Sequence, residues 1–204
     1  KNPMEVQAHG NYYEDIKIKE LTGFGKEEYD SMKDNGYTSS MDIVKGLHSN
    51  KDVSIKTAKG KKVDCGDILR RRSETEYDII IGLYNQVGDM KVFHTEYTFH
   101  ITPKHEDILW GKMTYEKLRE FNEYIKSIPE GRTAQQDTKV ERQVLKTITE
   151  DANAQMKIHP KVDSKKQRRV QCSFNIDKLI KAGVEYEAKP IRLTVKSKTR
   201  TFNK

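Results

Sequence analysis

Ser40-Met41-Asp42-Ile43-Val44-Lys45-Gly46-Leu47, followed shortly by Asp52-Val53-Ser54-Ile55-Lys56-Thr57, is the stretch whose reading decides the fold. Asn50-Lys51-Asp52 is turn material between two short runs rich in Val and Ile, so the segment is expected to form a β-hairpin or a sharply bent strand pair. Strand alternation then sets Val53 and Ile55 on one face and Ser54 and Lys56 on the other. With Asp42 opening the partner strand, its carboxylate converges on that polar pair. An acid beside a lysine at the end of a hairpin suits a divalent cation and a water poised against a phosphate. A solvated hairpin with scattered charges is the plainer reading of the same residues.

Upstream, Met4, Ala8, Tyr12 and Ile16 recur every four residues, and Val6, Tyr13 and Ile18 widen the stripe. This period predicts a helix over residues 3–21, with Pro3 tolerated in the first turn and Glu14 towards its C-terminal half. Gly10 weakens such a helix by about 1 kcal/mol relative to Ala and leaves room for another backbone. Residues 22–40 read as loop, with a short helix over about 26–32.

Downstream, Ala58-Lys59-Gly60-Lys61-Lys62 is a basic turn suited to a phosphate backbone or to solvent. Asp64 to Asp67 offer N-caps for a short helix carrying Ile68, Leu69 and the three arginines Arg70, Arg71 and Arg72, of which at least one is expected to reach solvent or phosphate. Residues 77–84 form the most hydrophobic run and predict a buried central strand. A turn over 87–90 returns the chain as a strand over 91–101, with His94, Glu96, Thr98 and His100 on one face, a pattern open to zinc or to a structural role. Thr114 caps a predicted helix with Leu118, Phe121, Ile125 and Ile128 on its stripe, ending near Pro129. A second helix is predicted over about 133–156 with the stripe Val140, Val144, Ile148, Ala152 and Met156. The two helices are expected to pack on each other and on the sheet, or to form a dimer contact. After a basic run, a strand over 170–174 places Arg169, Gln171 and Ser173 on one face; a helical turn over 177–182 and a strand over 191–195 follow.

Of the 204 residues 34% are charged and the formal net charge is +7, which favours an anionic partner, nucleic acid first. No apolar run approaches the roughly 18 residues that span a bilayer, and a soluble, cytoplasmic (intracellular) protein is expected. Cys65 and Cys172 form neither a C-x-x-C pair nor a ligand cluster, so both are read as reduced and structural.

Asp42, the gap across the hairpin and Val53-Ser54-Ile55-Lys56, with an upstream helix offering Gln7, Gly10 and Glu14, resemble the PD-(D/E)xK nuclease superfamily and, within it, the type II restriction endonucleases. The resemblance is best over the first half of the chain. Less specifically, Ser164-Lys165-Lys166-Gln167-Arg168-Arg169-Val170-Gln171-Cys172 is similar to a recognition segment of such enzymes. It implies an α/β (α+β) fold with a central mixed β-sheet flanked by helices, a restriction-endonuclease-like core. A single domain over 1–204 would have its catalytic core over about 1–110 and a helical, basic recognition part over about 111–204.

The activity implied is sequence-specific hydrolysis of double-stranded DNA with Mg²⁺ by a homodimer acting on a short palindrome. In that reading Asp42, Glu14 and the Ile55 carbonyl hold the metal, and Lys56 orients the attacking water and stabilises charge on the phosphate. Arg168, Arg169 and Gln171 would read base edges. Lys161, Lys165 and Lys166, with Lys59 and Lys61 of the basic turn, would meet phosphates. Two departures stand out: Met41 replaces the proline before Asp42, and Ser54 occupies the acidic position of the third motif. Serine is a poor ligand for a hard cation, so Ser54 makes at most a water-mediated contact and Glu14 must supply the second acid, Asp52 being one strand position out of phase with Lys56. The same serine supports the alternative of a non-catalytic nucleic-acid-binding module with a degenerate site.

Overall fold

The computed structural model describes residues 11–36, 39–71 and 75–196. The chain forms two compact units that interleave in sequence, one from residues up to 60, 77–100 and from 185 onward, the other from residues 61–76 and 101–184. A division near residue 110 is therefore replaced by a discontinuous one. The C-terminal strand returns to the first unit because it pairs with the strand that ends at Ile101.

The first unit contains α1 (Asn11–Thr22), α2 (Lys26–Met32) and β1 (Asp52–Ala58), after which β2 (Lys62–Asp67) belongs to the second unit and β3 (Tyr77–Val87) and β4 (Met90–Ile101) resume the first. The last strand of the first unit, β7 (Tyr186–Lys196), completes a sheet of order β1-β3-β4-β7. It is mixed: β1 runs parallel to β3, and β4 antiparallel to β7. As expected of a central strand, β3 is buried from Ile79 to Leu83. Gly88, at φ +59°, supplies the left-handed backbone that the turn from β3 to β4 needs.

Tyr13, Ile18, Tyr29, Ile43, Val53, Ile55, Ile80 and Phe93 form the core of this unit. Each fully buried side chain of this kind contributes about 1.5–3 kcal/mol. The Tyr13 ring stacks on Phe93 at 4.9 Å between centroids. That stack needs Gly82 on β3, since a Cβ there would lie 2.7 Å from the Tyr13 ring. A polar clamp holds α1 on the same sheet: the Tyr13 hydroxyl and the Lys17 amine both donate to the Glu96 carboxylate, the latter at 3.1 Å. The helix predicted over 3–21 is seen from Asn11 onward; its earlier part lies outside the described residues.

Two local expectations fail here. Residues 40–47 do not form a strand: one antiparallel bridge, Ile43 with Val53, is made among turns and bends. The Tyr29 hydroxyl takes the place of a strand partner, accepting from the Val44 amide at 3.0 Å and donating to the Leu47 carbonyl at 2.8 Å. On β4, a register shift between Phe93 and Thr95 breaks the alternation. Phe93 and Glu96 are consequently buried while His94 is exposed against Thr95, and His100 instead meets Asp78 at 2.9 Å, so the His94, Glu96 and His100 grouping is not formed.

The second unit has an antiparallel sheet of order β2-β6-β5, with β5 (Lys157–Val162) and β6 (Arg168–Asn175). Its helices are α3 (Ile68–Arg71), α4 (Pro103–Trp110), α5 (Tyr115–Ser127), α6 (Ala134–Asp137), α7 (Lys139–Asp151) and α8 (Ile176–Lys181). Asp67 caps α3 through the Leu69 amide at 2.9 Å, and Arg71 is buried rather than presented to phosphate. Thr114 caps α5 as expected, and Leu118, Phe121 and Ile125 are buried. The long helix predicted over 133–156 breaks at Thr138, whose hydroxyl bonds back to the Ala134 carbonyl. Its stripe is also misplaced: Val140 and Val144 are 71% and 49% exposed. The first part of the basic run, Lys157–Val162, is a strand, with Ile158, Pro160 and Val162 turned inward. Cys65 and Cys172 are buried free thiols. Among the described residues no helix is long and apolar enough to cross a membrane.

Candidate active site

β1 is an edge strand, and its outer edge is where the site is built. The N–H and C=O of alternate residues point to the same side of a strand. Val53 points outward: its amide donates to the Ile43 carbonyl at 2.9 Å and its carbonyl accepts from the amides of Asp42 and Ile43 at 2.9 and 3.0 Å. Ile55, two residues on, presents its backbone to the same edge, past the end of that bridge. There the Asp42 carboxylate takes over, its Oδ2 accepting the Ile55 amide at 2.6 Å. Asp42 is thus held by its own amide and by its carboxylate, and strand alternation directs the Ile55 carbonyl towards the same edge.

Glu14, on the first turn of α1, lies within hydrogen-bonding reach of Asp42. Burial, and then the charge and hydrogen bond of Asp42, push the Glu14 carboxyl up to about 7, against the opposing pull of Lys26. Glu14 therefore exchanges its proton near neutrality. Lys26 Nζ stands 3.2 Å from Glu14 Oε1 and 2.7 Å from Asp30 Oδ2. Burial alone would lower the Lys26 amine, but Asp30 and Glu14 outweigh it and raise it. Gly25, the N-cap of α2, has no side chain to offer, and Asp15 of α1 accepts the Lys26 amide at 2.7 Å instead. At the other end of α2, Lys33 bonds Asp30 at 2.8 Å and reaches the Asp42 carbonyl at 3.2 Å. Lys26 and Lys33 together hold the Asp30 carboxyl below its ordinary value, although burial pushes the other way.

Asp42 thus lies beside both Glu14 and the Ile55 amide. Ser54 is only 1% exposed, a buried hydroxyl on the strand face opposite Val53 and Ile55. Lys56 is half-buried and has no ion-pair or hydrogen-bond partner among the described residues. Asp52 is engaged elsewhere, accepting the Lys45 amide at 2.7 Å. Gln7 and Gly10 lie outside the described residues. The sequence reading missed Lys26, Asp30 and Lys33; their spacing in Lys26-Glu27-Glu28-Tyr29-Asp30, an i,i+4 pair of opposite charge on a helix, was the available signal.

Among the described residues no group of three or more His, Cys, Asp or Glu side chains is placed to hold a metal ion. Mg²⁺ asks for less, being held through one or two carboxylates while keeping water and substrate phosphate as its other ligands. Two abutting carboxylates, one of them impeded from ionising by the other, fit that demand.

The expected DNA-contacting residues divide. Lys161, Lys165, Lys166 and Arg169 are exposed, as is Lys59, and Gln171 is half-buried opposite His159. Lys61 lies 3.5 Å from Asp177. Arg168 is a correction. Its side chain is 8% exposed, and the guanidinium donates to the carbonyls of Ile128, Pro129, Asp163 and Gln167 at 2.7–2.9 Å. It ties the β5–β6 turn to the end of α5, and those bonds keep it from base edges. No known protein family, curated protein or solved structure matches this chain.

Proposed function

We propose that the protein is a Mg²⁺-dependent endonuclease hydrolysing phosphodiester bonds of double-stranded DNA, sequence-specific in the manner of type II restriction enzymes and acting as a homodimer. The observation that carries this reading is the Glu14–Asp42 carboxylate pair, fixed at the open edge of β1 one residue before Lys56, which has no ion-pair or hydrogen-bond partner among the described residues. Bound Mg²⁺ would supply a Lewis acid at a phosphate oxygen and a water of lowered pKa. Asp42 and Glu14 would hold the cation, with the Ile55 carbonyl as a further oxygen donor. Lys26 and Lys33 keep Glu14 and Asp42 in register from the α2 side. Lys56 orients the attacking water and stabilises the charge that grows on the phosphate oxygens as the new P–O bond forms and the bond to the leaving sugar oxygen breaks.

One observation favours a second reading. Ser54, buried where the third motif asks for an acid, fits a nucleic-acid-binding module that has lost its chemistry. Incubating a plasmid of known sequence with the protein in Mg²⁺, in EDTA and with Lys56→Ala separates the two. Discrete fragments that need Mg²⁺ and vanish in the variant support the nuclease. Binding without cleavage in Mg²⁺ or Mn²⁺ supports the module.

A further inference from the structure

In the second unit, α7 and β5 enclose a half-open cavity of about 500 Å³. One wall is the face of α7 that carries Lys139, Arg142, Gln143 and Lys146. Their spacing i, i+3, i+4 and i+7 puts them in a row about 10 Å long. The other wall is β5, where His159 and Lys161 are both cavity-lining and stand about 7 Å apart along the strand. Four cations therefore line the space, with no acidic side chain among the lining residues. None of the four has a carboxylate partner among the described residues. Arg142 is pre-set, its guanidinium donating to the Gln135 carbonyl and the Thr138 hydroxyl. Gathering like charges with nothing between them is unfavourable, and the cost is recovered when a polyanion fills the gap.

We propose that this groove is the track for a DNA phosphate backbone. A single small anion asks for donors that converge on a point; here they form two opposed rows whose length suits successive phosphates of one strand, with the Gln143 amide as a neutral donor between them. The inference rests on the proposed function for the identity of the polyanion, and is independent of whether Glu14 and Asp42 catalyse anything.

The test is equilibrium binding of a fluorescent DNA duplex in EDTA across a salt series. Lys139→Gln/Lys146→Gln/Lys161→Gln removes three cations and spares the structural bonds of Arg142; Lys104→Gln/Lys112→Gln/Lys126→Gln removes three exposed cations elsewhere on the same unit as a charge-matched control. The groove variant should bind on the order of 100-fold more weakly at about 0.1 M salt, with a log–log salt slope shallower by about 2–3. The control should stay within about 3-fold of the unaltered protein if contacts rather than net charge matter. Equal affinity in groove variant and control, whether both hold or both fall, overturns the proposal. So does saturation of the groove by inorganic pyrophosphate, read from the His159 resonance, with DNA affinity unchanged in the groove variant, since the cavity would then be a small-anion site. Groove-dependent binding without cleavage sinks the nuclease reading alone; cleavage by a protein whose groove variant binds normally sinks the groove alone.

Discussion

Asp42 Oδ2 accepts the Ile55 amide at 2.6 Å, at the edge of a strand where the next backbone bridge has already ended. The same carboxylate is therefore a structural cap and half of the acidic pair, and two substitutions separate the roles. Asp42→Ala leaves the Ile55 N–H without its acceptor and should lower unfolding stability by about 1–3 kcal/mol. Asp42→Asn keeps an oxygen for that amide and should hold stability within about 1 kcal/mol. It removes the charge, and cleavage should drop by about 100-fold or more. Urea titration and plasmid cleavage read the two effects, and an Asn variant as active as the unaltered protein would remove Asp42 from the metal site.

Glu14 gives the site a pH dependence of defined sign. Its folded pKa of about 7 stands above the ordinary 4.5, so the stabilisation from its protonated form is fully present below about 4.5 and lost as pH rises through 7. That difference is on the order of 3 kcal/mol. Glu14→Gln should abolish this component, so the variant gains on the unaltered protein above pH 7. Mg²⁺ competes with the proton for the same oxygens. It should raise the melting temperature at pH 8 and leave it unchanged at pH 5, and equal stabilisation at both would place the cation elsewhere.

What the sequence disclosed followed from how local its signals were. The Val/Ile runs and their alternation were enough for β1 and for the buried β3, and the spacing of Leu118, Phe121 and Ile125 behind Thr114 was enough for α5. Asp42 was legible in the hairpin pattern, whereas Glu14 was found through the resemblance, because its proximity to Asp42 depends on α1 docking across the sheet, which no periodicity encodes. Lys26, Asp30 and Lys33 were missed because only tertiary packing brings them to Glu14 and Asp42. The α7 stripe failed for the converse reason: Val140 and Val144 have the right period, but β5 lies against a different side of the helix. Arg168 has the composition of a base reader and is consumed by four carbonyls that only the folded chain brings near it.

Gly82 is the point where core packing controls the site. A Cβ at this position would meet the Tyr13 ring at 2.7 and 2.8 Å and the Phe93 ring at 3.0 Å. Gly82→Ala should cost about 1–3 kcal/mol through overpacking. Because Tyr13 neighbours Glu14 on α1, the displaced ring should also move Glu14 away from Asp42. Metal affinity should therefore fall with stability, measured by Mg²⁺-dependent melting. A variant that is destabilised yet binds Mg²⁺ normally would show that α1 yields without shifting its first turn.

Lys17 and Glu96 form a buried pair, with side chains 6% and 5% exposed. Burial alone would raise the Glu96 carboxyl, but Tyr13 and Lys17 hold it below the ordinary range. Lys17→Met leaves Glu96 with only the Tyr13 hydroxyl and the exposed Lys189 amine, 3.4 Å away, and should cost about 1–3 kcal/mol. Adding Glu96→Gln removes the under-compensated buried charge while keeping an acceptor for Tyr13, so the double variant should be more stable than the single one. Denaturant titration of both decides it, and simple additivity would mean the pair is not coupled.

His159 reports on the basic groove from within. Burial, then Lys62, Lys146 and Lys161, depress its imidazole to about 4, from an ordinary 6.5. The stability tied to its neutral form is fully present above 6.5 and lost as pH falls through 4. A phosphate backbone lying between α7 and β5 would offset the field of Lys146 and Lys161 and favour the charged imidazole. Duplex DNA should consequently raise the His159 midpoint by about one unit or more, followed by NMR titration of the ring. Lys146→Gln should raise the midpoint of the free protein and shrink the further shift on adding DNA. An imidazole whose midpoint does not move at saturating DNA would place the phosphates outside the groove.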